Sequence, residues 1–167
     1  MPDQAFVQEA AQLADRLQLE LKAELSTALT KAGPVDAIAV CQSAAPAIAQ
    51  GLSKESGLQV GRIARKTRNR NNSFDSDLAS LYEQLERMPL ANGKPAAIQR
   101  IVDGRSVYMR ALPMKEQPCA ICHGTDIAPE VKAAIAATYP EDHATGFKPG
   151  ELRGSILVQT PNTPTSD

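Results

Sequence analysis

The sequence predicts an α+β domain built on an antiparallel sheet. Helical periodicity fills the first third of the chain, short strand-like runs separated by turn residues fill most of the rest, and no alternation of strand and helix calls for parallel pairing. The 167 residues suit a single core, and 43% apolar with 22% charged residues excludes a disordered or collagen-like chain. Trp is absent and aromatics are only 4%, so Ala, Leu, Ile and Val must fill that core. Eighteen Lys+Arg against 19 Asp+Glu is not the basic excess of a nucleic-acid binder, and no nucleic-acid partner is expected. The apolar runs are too short for a membrane span.

Residues 4–31 read as one long helix. Leu13, Leu17, Leu21, Leu25 and Leu29 recur every fourth position, with Val7, Ala14 and Ala28 beside them. Such a helix is about 42 Å long. Its stripe serves either to cap the core or to pair two copies as a homodimer through the N-terminal helix. Gly33 ends it and Pro34 suits the first turn of the next helix. The chain therefore divides into an N-terminal helix (1–33), a globule (34–159) and a polar tail (160–167), a single domain overall. The second helix runs from Val35 to about Leu52. Ile38, Cys41, Ala45, Ile48 and Leu52 share its apolar face, and Pro46 is expected to kink or break it. Small residues around Cys41 (Ala37, Ala44, Ala45) leave room for a broad, flat group.

A turn at 53–57 leads to a strand over Leu58–Ala64, then a basic, Asn-rich loop from Arg65 to Asn72. Leu78–Met88 is a short amphipathic helix closed by Pro89 and Asn92-Gly93. Ile98–Val102 and Ser106–Leu112 flank Asp103-Gly104, the signature of a two-residue hairpin turn. A loop bounded by Pro113 and Pro118 follows. Pro129–Tyr139 reads as an Ala-rich helix, Arg153–Gln159 as a closing strand, and the tail from Thr160 as frayed.

Of three cysteines, two lie in Cys119-Ala120-Ile121-Cys122-His123. Two thiols at this spacing can add across the vinyl groups of one haem, and the adjacent imidazole then reaches the iron from the same side. At this chain's composition a chance match has a probability of about 0.0006. Gly124 directly after the motif lets the backbone pass close to a flat ligand. A zinc site needs further ligands at separate spacing, which only Cys41 and His143 could supply. A thiol–disulfide pair expects a strand before it and a helix after it, in a βαβ setting. Covalent haem, one per chain, is the expected cofactor, attached through Cys119 and Cys122 with His123 as an axial ligand.

Candidates for the opposite axial position are Cys41, His143, Met109, Met114 and Met88, or no protein ligand at all. A lone buried Cys is commonly a small hydrophobe, and thiolate ligation by Cys41 is the sharper alternative; spacing leaves both open. Haem propionates need cations, and Arg62 to Arg70 carries five of them in nine residues. Arg62 and Arg68 are the propionate candidates.

With these residues in view, the chain resembles a family of c-type haem-binding, PAS-like domains that occur alone or fused to signalling outputs. The resemblance rests on Ala39–Ala49, Val60-Gly61-Arg62, Arg68-Asn69, Cys119–Gly124, Tyr139–Phe147 and Gly150–Gly154, in that order. It implies a PAS-like antiparallel sheet with flanking helices and a Cys from the Cys41 segment as second axial ligand. It asks for no ligand at His143. One departure is visible: the family has a Pro-containing stretch where this chain has Arg70-Asn71-Asn72-Ser73.

The function expected is a redox- or gas-sensing haem domain with His/Cys ligation, partnered by a diatomic gas or a redox protein. The alternative is a soluble monohaem electron carrier. A haem enzyme such as a peroxidase needs a general acid or base near its open face, and none lies near Cys41; no enzyme activity is expected. Haem attachment of this kind implies a periplasmic or otherwise exported protein, although Met1–Ala5 does not open an export signal.

Overall fold

The computed structural model describes residues 1–115 and 119–162. Helix α1 (Gln4–Ser56) begins where the Asp3 side chain accepts from the Phe6 amide at 2.8 Å. It is broken at Gly33, whose φ of 83° and ψ of −179° are open essentially to glycine alone. The break reverses the chain. Residues 39 apart in a straight helix lie about 58 Å apart, yet Arg16 and Glu55 form a two-pronged ion pair at 2.8 and 3.2 Å. The arms before and after Gly33 therefore run back along one another; Gly33-Pro34 predicts the break between two helices, and the reversal is seen only in the structure.

Pro46 does not break the second arm, against expectation. Helical backbone angles continue through it, with Gly33 the one exception in α1. Proline inside a helix costs about 3 kcal/mol. Packing offsets this, since Ala45 and Leu52 are buried and Ile48 and Ala49 pack against Leu17, Val60 and Ile156. The arm closes at Gly57, whose amide donates to the Ser53 carbonyl at 2.9 Å.

Strands β1 (Gln59–Ile63), β4 (Ala97–Val102), β5 (Arg105–Pro113) and β6 (Leu152–Gln159) form one antiparallel sheet in the order β1-β6-β5-β4. The last strand is thus inserted beside the first. Val60 pairs with Val158, which also pairs with Tyr108, and Met109 pairs with Ile98 and Leu157. Asp103 and Gly104 both have positive φ, 48° and 76°, the two-residue turn the sequence predicts. Asn92 and Gly93 make the same turn between β2 (Leu90–Ala91) and β3 (Lys94–Pro95), a small hairpin read from sequence only as a helix stop. Thr160 also departs from expectation. Its amide donates to Ser106 at 3.0 Å and its hydroxyl accepts from the Ser106 amide at 3.1 Å, so pairing extends into the tail; residues 163–167 lie outside the described residues.

Both faces of the sheet are covered. Alternate residues Tyr108, Ile156 and Val158 meet Phe6, Leu13 and Leu17 of α1. Val107, Met109 and Leu157 meet Leu78, Leu81, Tyr82 and Leu85 of α2 (Ser76–Arg87). Burial on both sides is why β5 and β6 read as nearly continuous apolar runs. The leucine stripe of α1 is consumed within the chain: Leu13 and Leu17 lie on the sheet, while Leu25 and Leu29 reach past it to wall a cavity. Helix α3 (Cys119–His123) lines that cavity, α4 (Pro129–Thr138) packs on α1 and α3, and no described helix is long and apolar enough to cross a membrane.

Gly33→Ala is expected to lower stability by about 1–3 kcal/mol in urea titration. Gly51→Ala, in helical backbone with open space around it, is expected to be neutral or stabilising.

Candidate cofactor site

The Cys-x-x-Cys-His motif forms a helical turn, α3, rather than the expected loop; the end of the preceding segment, with Pro118, lies outside the described residues. The Gly124 amide closes the turn on the Ala120 carbonyl at 3.2 Å. A Cβ on Gly124 would stand 2.6 Å from that carbonyl oxygen. The glycine is therefore required by its own helix, whereas the sequence points to the approach of a flat ligand.

Loop 139–147 holds this turn in place. Phe147 and Gly146 donate from their amides to the carbonyls of His123 and Gly124, at 3.0 and 2.9 Å. Arg68 donates from Nε to Asp142 Oδ1 at 2.8 Å, and from Nη2 to the carbonyls of Cys122 at 2.5 Å and Ala144 at 3.2 Å. Asp142 Oδ1 also accepts from the Ala144 amide at 3.2 Å. The Arg70–Asn72 stretch, where the family resemblance breaks, is a single 3-10 turn. Asn69 caps it, and it is tied back by the Ala64 amide to the Asn72 carbonyl at 2.9 Å.

Above α3 lies a cavity of about 190 Å³. Cys119, Cys122 and His123 line it from one side, Cys41 from the second arm of α1, and Arg62, Arg68, Arg153 and Tyr139 complete its polar wall. Leu25, Leu29 and Ile38 supply apolar surface. The His123 ring places Nδ1 2.7 Å from the Ala144 carbonyl. That contact assigns the proton to Nδ1 and leaves the Nε2 lone pair for the cavity. Burial, reinforced by Arg153 and Arg68, holds the imidazole well below its ordinary range and hence neutral. Burial raises the Cys41 thiol, and Arg62, Arg153 and Arg68 pull it back. Cys122 is likewise raised by burial.

Four sequence-predicted residues, Cys41, Cys119, Cys122 and His123, thus meet at one cavity, and so do both predicted arginines. Their roles differ. Arg68 has Nε and Nη2 committed to the protein, which makes it a brace for the wall. Arg62 has no carboxylate partner among the described residues, and burial lowers it. The same holds for Arg153, which sequence reasoning missed; burial and then Arg62 push it down to about 10. An arginine opening an otherwise apolar strand was the signal. Tyr139, also missed, was read only as a helix end. Of the other axial candidates, His143 and Met88 are exposed, while Met109 and Met114 are buried in apolar clusters and do not line the cavity, although Met114 shares its cluster with Cys119 and Ala144, which do. Among the described residues no group of three or more His, Cys, Asp or Glu side chains is gathered as a metal site, which is what the zinc alternative requires. Paired thiols, a neutral imidazole, uncompensated guanidinium groups and an apolar flank are the donor set a haem needs.

Residues 3–161 match the Tll0287-like family model. The chain belongs to the Tll0287-like family. Its fold matches the crystal structure of the cyanobacterial heme-protein Tll0287 with a TM-score of 0.76 and 22% identity, covering 99% of this chain and 100% of that one. No curated protein matches. For this Tll0287-like chain, the family match spans both arms of α1 as well as the sheet, so the helical hairpin belongs to the family unit.

Gly124→Ala is expected to lower the melting temperature, at a cost of about 1–3 kcal/mol, because the contact is with backbone. The neutral His123 sets a pH dependence in the haem-free chain. Its folded pKa lies below the unfolded value, so its contribution is full above pH ~6.5 and is lost as pH falls through the folded pKa. Stability measured from pH 7.5 downward should fall more steeply for wild type than for His123→Gln.

Proposed function

We propose that the chain is a covalent c-type haem-binding domain, PAS-like in kind, that senses redox state or a diatomic gas. The carrying observation is that Cys41 and the Cys119–His123 motif line one cavity, with Nε2 of a neutral His123 on the cavity side, 3.4 Å from Arg153 Nη1. In this reading Cys119 and Cys122 form the thioethers, and His123 and Cys41 are the axial donors. Arg62 and Arg153 take the propionates, and Arg68 holds the wall. The haem-protein neighbour supports the cofactor class. When bound, haem supplies an iron whose oxidation state and axial ligation can change.

An anionic thiolate favours ferric iron. In a bound haem Cys41 would be held as a thiolate by ferric iron, and once protonated it would be the weaker donor. Its arm is joined to the first arm through Arg16–Glu55 and the shared contacts of Leu17 and Leu52, so its release has a path to the whole of α1. The reading includes an exported location, where such attachment is completed, and a signalling rather than enzymatic role.

The test is an optical spectrum of the matured chain, oxidised, reduced, and reduced under carbon monoxide. A haem band that survives acid–acetone extraction, and carbon monoxide binding on reduction, are expected. Cys41→Ala is expected to change the ferric spectrum and raise the potential by on the order of 0.1 V or more, within the ~0.8 V that axial ligands span. No haem band removes the proposal. A haem indifferent to carbon monoxide makes the chain an electron carrier.

A further inference from the structure

Three thiols and one imidazole line this cavity, the donor types that a free divalent cation of the zinc type favours, although among the described residues no three of them are gathered as a metal site. What surrounds them opposes such an ion. Arg62, Lys66, Arg68 and Arg153 line the same cavity, and among the described residues no carboxylate does. Arg153 goes further. Its Nη1 lies 3.4 Å from His123 Nε2, the nitrogen left as acceptor by the Nδ1 contact with Ala144. Nε2 has one lone pair, so it accepts from Arg153 or binds a metal, never both. A zinc ion sits about 2.0–2.1 Å from a ligating nitrogen, well inside the separation Arg153 now keeps.

Any metal must therefore displace Arg153, and the outcome depends on what the metal brings. A bare dication brings no acceptor for the displaced guanidinium, because the thiols that ligate it lose their protons and commit their negative charge to the metal. A haem arrives with two carboxylates for the displaced guanidinium. Glu86 and Glu151 line a second pocket that Arg153 also borders, and Glu86 is already held by Arg65 through two hydrogen bonds of 2.8 and 3.0 Å, while Asp142 is held by Arg68.

We infer that Arg153 is a specificity-determining residue: it closes the axial nitrogen of His123 to free divalent cations and yields it to a haem, whose carboxylates become its partner. This rests on the haem reading of the site.

The test uses the full chain produced without haem attachment and kept reduced. Zn²⁺ affinity is measured by competition with a chromophoric chelator, and Co²⁺ is titrated for its thiolate charge-transfer band. Arg153→Gln is expected to bind Zn²⁺ about tenfold or more tightly than wild type, the scale of one charge-assisted hydrogen bond. It should also gain Co²⁺ absorbance. Arg153→Lys keeps the charge and should stay near wild type. Arg153→Met, which likewise removes the donor to His123 Nε2, serves if Arg153→Gln fails to fold by circular dichroism. Wild type binding Zn²⁺ as tightly as the folded Arg153 variants overturns the inference. The matured chain's spectrum separates the two ideas: a missing haem band overturns the proposed function, whereas the zinc affinities are read without haem.

Discussion

Arg68 reaches from the segment after β1 into loop 139–147, where one guanidinium meets the Asp142 carboxylate and the carbonyls of Cys122 and Ala144. Little of either charged side chain is accessible, 14% for Arg68 and 10% for Asp142. Removing one member of a buried pair leaves an uncompensated charge and typically costs about 3–5 kcal/mol. Geometry gives the pair a further role. Asp142 fixes the Ala144 amide, and the Ala144 carbonyl accepts from both Arg68 and His123 Nδ1. The orientation of the imidazole is thereby tied to a salt bridge on the far side of a loop, and every property of Nε2 follows from it.

The cavity combines two environments that rarely coexist. Its apolar flank comes from the end of the α1 leucine stripe, after the start of that stripe has been buried on the sheet. Its polar wall comes from β1, β6 and the loops beside them, and carries cations without carboxylates. Burial penalises those cations and raises the thiols, while it holds the imidazole neutral. An apolar plate with acidic substituents relieves the first of these costs without disturbing the last. In this sense the charge pattern describes its ligand as closely as the cysteine spacing does.

The helical hairpin connects the cavity to the rest of the fold. Cys41 stands on the arm whose Leu52 joins the sheet cluster, and Leu25 and Leu29 on the other arm face the same space. Both arms therefore meet at the cavity, one on each side of the Gly33 reversal.

Several features were legible in the sequence because local chemistry alone decides them. Gly33-Pro34 marks the break, since only glycine tolerates the required backbone and proline suits the next first turn. Asp103-Gly104 marks a hairpin because both positions need positive φ. The Cys119–His123 spacing marks a cofactor site whatever surrounds it. Tertiary structure decided the rest. Pro46 stays helical because packing on the sheet outweighs one lost hydrogen bond. Gly124 is needed for a carbonyl four residues back, which periodicity does not reveal. The arginines were found by their density in the 62–70 run. Yet Arg68 became a brace and Arg153, 85 residues further on, became the neighbour of His123 Nε2. That exchange follows from β6 pairing with β1, a long-range contact that brings the two arginines to one wall and that no local signal encodes.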